Sequence, residues 1–150
     1  MNPPQTEGFW HFTLETYARP GVSARCIELQ DRDGRDVNLL LLALYAGLVL
    51  GRRLSAADFA GLETDSAAWR NRVTSPLRTV RRDLKPLAGD PAVAALRSAV
   101  QAAEIEAERL AQLQLVSALP EGPVELPGPD LARSNLATYA GAAGEMLASL

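Results

Sequence analysis

Asp36-Val37-Asn38-Leu39-Leu40-Leu41-Leu42-Ala43-Leu44-Tyr45-Ala46-Gly47-Leu48-Val49-Leu50 is the stretch on which the fold turns. Only Asn38 and Gly47 interrupt its apolar run from Val37 onward. The run is shorter than the ~18–20 residues that cross a bilayer. It is also too apolar all round for a surface helix, which carries a polar face. It therefore reads as a buried central helix with Asp36 as its N-cap, wrapped by other helices.

Helical signals continue on both sides. Phe9 to Ala18 predicts a short aromatic helix that ends before Arg19-Pro20-Gly21. Pro20 is expected in the first turn of a second helix, whose stripe of Val22, Cys26 and Leu29 stops at Asp33-Gly34. Ser55 and Asp58 have the spacing of a capping box for a helix through Leu62. Asp65 or Ser66 is expected to cap the next helix. There Trp69, Val73, Leu77, Val80 and Leu84 fall within an arc of about 80°, and Pro76 should kink or split it. Asp90-Pro91 opens a long helix to about Ala118, and Pro120 to Pro129 is a proline- and glycine-rich loop. Asp130 to Leu150 predicts a last helix, weakened by Gly141 and Gly144 and expected to fray or dock loosely.

No period-two alternation appears, so the predicted fold is all-α, a single-domain bundle of five or six helices around residues 37–50. Its expected divisions are a flexible N-terminus over 1–8, a helical domain over 9–118, a loop over 119–129 and a C-terminal helix over 130–150.

Composition narrows the functional classes. The chain has 150 residues, 47% hydrophobic and 22% charged, which excludes a disordered or low-complexity protein. One cysteine makes no internal disulfide, and no Cys/His spacing suggests zinc. Met1 to Gly8 lacks the pattern of an export signal, so the expected location is the cytoplasm, with no membrane insertion.

The net charge of -3 hides a bipolar chain. Residues 66–89 hold six basic residues and one acidic, whereas residues 90–150 hold three basic and eight acidic. The two parts neutralise each other if they pack together.

Three strings carry a resemblance: Tyr17-Ala18-Arg19-Pro20-Gly21-Val22, Asp36-Val37-Asn38-Leu39-Leu40-Leu41, and Trp69-Arg70-x-x-Val73-x-x-Pro76-Leu77-Arg78 continuing to Lys85. With Phe9-Trp10-x-Phe12 and Cys26-x-x-Leu29-Gln30-Asp31, they resemble a family of uncharacterised proteobacterial proteins over most of residues 9–118. The resemblance implies a compact all-helical bacterial protein. It brings no assigned activity and no catalytic residue, and it leaves the C-terminal loop and helix peripheral.

On a continuous α-helical wheel, Arg70, Arg78, Arg81, Arg82 and Lys85 share the face opposite the apolar stripe. That face suits an acidic protein surface or a phosphate backbone, so the leading expectation is a non-catalytic interaction protein. Non-specific RNA or ribosome binding would use the same face through phosphates, without base stacking.

The alternative is a small enzyme or ligand-binding protein with an anion or metal site near Arg19, Asp31, Asp36 and Asn38. Asn38 is the odd residue of an apolar helix. It is expected to bond the backbone of the preceding turn or of Tyr17–Arg19, or else a ligand. Asp31-x-Asp33-x-x-Asp36 fails as an EF-hand, because Gly34 stands fourth and Leu42 twelfth.

No cofactor is expected. His11 and Cys26 are the only base and nucleophile of the usual kind, and nothing in their spacing pairs them. Trp10, Phe12, Tyr17 and Trp69 are expected in the core. The helix over 91–118 offers a surface for a homodimer.

Overall fold

A computed structural model describes residues 3–149 of the chain. Among these residues every regular element is helical: α1 (Pro3–Tyr17), α2 (Val22–Asp33), α3 (Val37–Tyr45), α4 (Ala56–Trp69), α5 (Ser75–Leu84), α6 (Pro91–Ser117) and α7 (Pro129–Glu145). A π-helical turn, Ala46–Leu50, extends α3, and another, Arg70–Thr74, joins α4 to α5 without a break. Short 3-10 turns follow α5 (Lys85–Leu87) and α7 (Met146–Ser149). No described helix is long and apolar enough to cross a membrane.

The apolar stretch sits at the centre, as its composition demands. Leu39 to Tyr45 are all buried, and α1, α2, α4, α6 and α7 each pack against α3. Burying a leucine stabilises by about 1.5–3 kcal/mol, so these neighbours form one core. Phe9 stacks on Tyr45 at 5.0 Å between ring centroids, and Phe59 on Tyr139 at 4.9 Å.

The expected caps are in place. Asp36 accepts the Asn38 N–H at 2.8 Å, Ser55 and Asp58 form the reciprocal capping box, and Asp90 accepts the Ala92 N–H at 2.9 Å.

Other boundaries move. The stretch 1–8, expected to be flexible, is helical from Pro3 onward, while Met1 and Asn2 lie outside the described residues. Pro20 stays in the turn because Gly21, with φ 85°, separates it from α2. Asp65 and Ser66 cap nothing: α4 runs through them, and the Ser66 hydroxyl turns inward to Asp36.

The C-terminal part is an integral element of the core. Asn135 is fully buried, accepts the Leu54 N–H at 3.0 Å and donates to the carbonyls of Arg52 (2.9 Å) and Ala43 (3.3 Å). It thereby satisfies backbone groups around the C-terminal end of the central helix and the segment that follows it, so α7 docks firmly. The expected weakness is confined to Gly141, whose φ of 66° and ψ of -158° kink α7. The loop before α7 forms a strap over the same end. The Glu125 N–H bonds the Gly51 carbonyl at 2.7 Å, the Gly128 N–H bonds Gly47 at 2.9 Å, and Glu125 pairs with Arg53 at 2.9 Å.

The π turn decides where the basic residues point. The Ser75 N–H bonds Arg70 five residues back, which places one extra residue in that turn. Everything after it is rotated by about 100° relative to a continuous α-helix. Val80, assigned to the apolar stripe, is consequently 45% exposed, and Arg78 and Arg81 swing toward α6. The same turn accommodates Pro76, which has no N–H to give to the ladder.

Candidate functional site: a polar cavity beside the central helix

Two hydrogen-bonded groups of polar residues meet at one cavity of about 700 Å³. The first is centred on Asp36. Its carboxylate accepts from the Asn38 N–H, the Ser66 hydroxyl and Arg70. Its own N–H donates to the Tyr139 hydroxyl at 2.8 Å, and that hydroxyl donates to Glu63 at 2.8 Å. The second group runs along α6. Gln112 Nε2 donates to Thr13 Oγ1 (2.9 Å) and Asn38 Oδ1 (3.1 Å), and Asn38 Nδ2 donates to Glu108 Oε2 (3.1 Å). Arg78 then bridges Glu108 (3.0 Å) and Glu104 (3.1 Å), and Arg81 closes on Glu104.

Around these groups, α1 contributes Trp10, Thr13 and Tyr17, and the α2–α3 junction contributes Arg35 and Asp36. Trp69, Arg70 and Thr74 come from the end of α4 and the π turn; Glu108, Ala111 and Gln112 come from α6. Trp69 is fixed by its indole N–H, which donates to the Ala107 carbonyl at 3.0 Å. Trp10 and Trp69 are thus half-buried wall residues, a correction to the expectation that they fill the core, whereas Tyr17 both lines the wall and packs against the core. Phe12 packs against the core as expected.

The basic face is largely turned inward. Arg70 pairs with Asp36, while Arg78 and Arg81 pair with carboxylates of α6, so the bipolar charge of the chain is partly neutralised within the molecule. Only Arg82 and Lys85 of the five are exposed. For Arg78 and Arg81 the reason is the rotation introduced by the π turn, which a continuous wheel omits.

Of the alternative set, Asp36 and Asn38 line the cavity, whereas Arg19 and Asp31 are exposed outside its wall. The Asn38 side chain bonds neither the backbone of the preceding turn nor that of Tyr17–Arg19. Its partners, Glu108 and Gln112, come from α6. Asp31 and Asp33 are exposed while Asp36 is buried, and no three His, Cys, Asp or Glu among the described residues converge as a metal site. Cys26 is buried and its thiol is pushed up to about 11 by that burial, which leaves it protonated and a poor nucleophile. His11 is exposed on α1.

Sequence reasoning gave no site role to Thr13 or Gln112, took Ser66 only as a cap, and counted Glu108 only among the acidic residues that could answer the basic face. A signal for two of them was present: Glu104, Glu108 and Gln112 recur every four residues, a polar ridge along one side of α6.

A family model described as Protein of unknown function (DUF2390) matches residues 8–115. The chain belongs to that family. The DUF2390 span runs from α1 nearly to the end of α6 and contains every residue of the cavity wall. The strap and α7 lie beyond it. No curated protein and no solved structure matches the chain.

The two glutamates give stability opposite pH slopes. Burial pushes the Glu104 carboxyl up, but hydrogen bonds from Arg81 and Arg78, with their charges, outweigh it and hold the group below its usual 4.5. The stability it contributes is fully present above pH 4.5 and is lost as pH falls through the lowered folded value. Glu108 is raised, chiefly by burial, against the bond from Asn38 and the charge of Arg78. Here the folded chain holds a proton that the unfolded chain releases. That contribution is therefore present below pH 4.5 and is lost as pH climbs to the raised folded value. Urea unfolding at stepped pH should show Glu104→Gln flattening the limb below 4.5 and Glu108→Gln flattening the limb above it. Curves parallel to the parent for both variants would contradict this account.

Proposed function

We propose that this protein binds a small organic molecule in the cavity between α1, the α2–α3 junction, the π turn and α6. One observation carries the reading. Two buried side-chain polar atoms are without a hydrogen-bond partner among the described residues, Arg35 Nε and Thr74 Oγ1, and both belong to the wall of this cavity. An unsatisfied buried polar group costs about 1–3 kcal/mol, so this wall is a part of the molecule that is not optimised for stability alone. The volume of about 700 Å³ lies in the range of small-molecule sites, and a wall of aromatic rings with a few fixed polar groups is their usual composition.

The docking reading, in which the basic face meets an acidic protein or phosphate backbone, has less support. Arg78 and Arg81 would have to leave their own carboxylates first.

Both tryptophans of the chain line the cavity, so its occupancy should be visible in intrinsic fluorescence. Protein purified from its native host and then unfolded is expected to release one small molecule per chain by mass spectrometry. Refilling with that compound should shift tryptophan emission. Ala111→Phe, which projects a ring from α6 into the cavity, should fold and lose affinity for it by about tenfold or more. A chain that releases nothing, and whose Ala111→Phe variant melts above the parent, would mark the cavity as a packing void.

A further inference from the structure

The wall of the cavity carries an unequal set of charges. Arg35, Arg70 and Arg78 stand against Asp36 and Glu108. Every carboxylate oxygen already accepts at least one hydrogen bond. Asp36 Oδ1 takes the Asn38 N–H and Oδ2 takes Ser66 and Arg70; Glu108 Oε1 takes Arg78 and Oε2 takes Asn38. A cationic ligand would have to share carboxylate oxygens that already accept a hydrogen bond.

The guanidinium groups are less fully used. Arg78 is committed to both Glu104 and Glu108. Arg70 gives a single amino group to Asp36, and its side chain is 34% exposed. Arg35 makes no ion pair among the described residues; its guanidinium lies over the Tyr139 ring, 5.4 Å from the centroid, and its Nε is unpartnered. A guanidinium presents its N–H groups as a flat fork that matches a carboxylate or phosphate. The rings of Trp10, Tyr17 and Trp69 in the same wall supply faces for an apolar, flat body.

Building on the ligand-binding reading above, we propose that the ligand is an amphipathic anion. Its oxyanion head, a carboxylate or a phosphate, is held by Arg35 and the remaining N–H groups of Arg70. Its ring-bearing body lies against Trp10, Tyr17 and Trp69.

Four probes that share one body test this in the full-length chain by calorimetric titration: 1-naphthaleneacetate, 1-naphthyl phosphate, neutral 1-naphthaleneacetamide and cationic 1-naphthylmethylamine. At least one anion is expected to bind about tenfold or more tighter than the amide and the amine, and the two anions compared identify the head group. Arg35→Gln should erase that preference by weakening the anions far more than the amide, while Arg35→Lys, which keeps the charge and loses the fork, should retain part of it. Arg35 is half-buried and its Nε donates no hydrogen bond, so circular dichroism should confirm that both variants fold. An amide or amine that binds as tightly as both anions would overturn the anion assignment and leave the ligand-binding reading intact. So would a preference for anions that survives in Arg35→Gln. If none of the four binds, the anion assignment falls, and the release experiment on native protein decides separately whether the cavity holds a ligand at all.

Discussion

Asp36→Ala should lower the free energy of unfolding by about 2–4 kcal/mol, because three separate functions end together. The N-cap of the central helix is lost, and the Asn38 N–H is left without its acceptor. The buried Ser66 hydroxyl and the Arg70 guanidinium lose their shared oxygen. Ser66→Ala removes one donor and leaves the cap and the ion pair, so it should cost about 1 kcal/mol. Asp36→Asn keeps a capping oxygen but gives up the charge that holds Arg70, and should fall between the two. Urea unfolding near neutral pH measures all three. If Asp36→Ala proves no worse than Ser66→Ala, the carboxylate is not the centre of this group. The same series bears on the cavity, since Asp36 positions the guanidinium that the proposed anion meets.

Gly51→Val should cost about 3 kcal/mol for two independent reasons. Gly51 has φ 67°, a left-handed backbone conformation that L-residues adopt at a cost of about 1–2 kcal/mol. A Cβ there would also fall on the carbonyl oxygen of Glu125, part of the strap, with Val124 beside it. Gly34 separates these effects. Its φ is 64°, and nothing lies within 4 Å of the position of its Cβ. Gly34→Val should therefore show the backbone cost alone, and the difference between the variants measures how firmly the strap lies on the end of the central helix. Equal melting temperatures would show that the strap yields freely. A larger loss at Gly51, accompanied by faster proteolysis between residues 119 and 128, is the expected result.

These cases divide along a physical line. The central position of α3, the caps at Asp36, Ser55 and Asp90, the turn at Gly34 and the stop before Pro120 follow from neighbours in sequence. An apolar run without a polar face is driven into a core by the water around it, and capping side chains reach only two or three residues along the chain. Such features were legible in the order of residues, and with them the all-α class. Glu108, Gln112, Thr13 and Ser66 were not legible as a site, because their partners lie far away in the chain. Thr13 meets Gln112 across 99 residues, and Asn38 meets Glu108 across 70.

The basic residues show why such contacts escape a linear reading. Their spacing placed Arg78 and Arg81 on an outer face only while α4 and α5 were treated as one uninterrupted α-helix. The π turn at Arg70–Thr74 rotates α5 and sets both against Glu104. The sequence by itself determined which segments coil and which coil is buried, because hydrophobic burial and capping act through local pattern. Tertiary structure alone decided which charges are neutralised and which polar groups surround a cavity, since one extra residue in one turn reorients every side chain that follows.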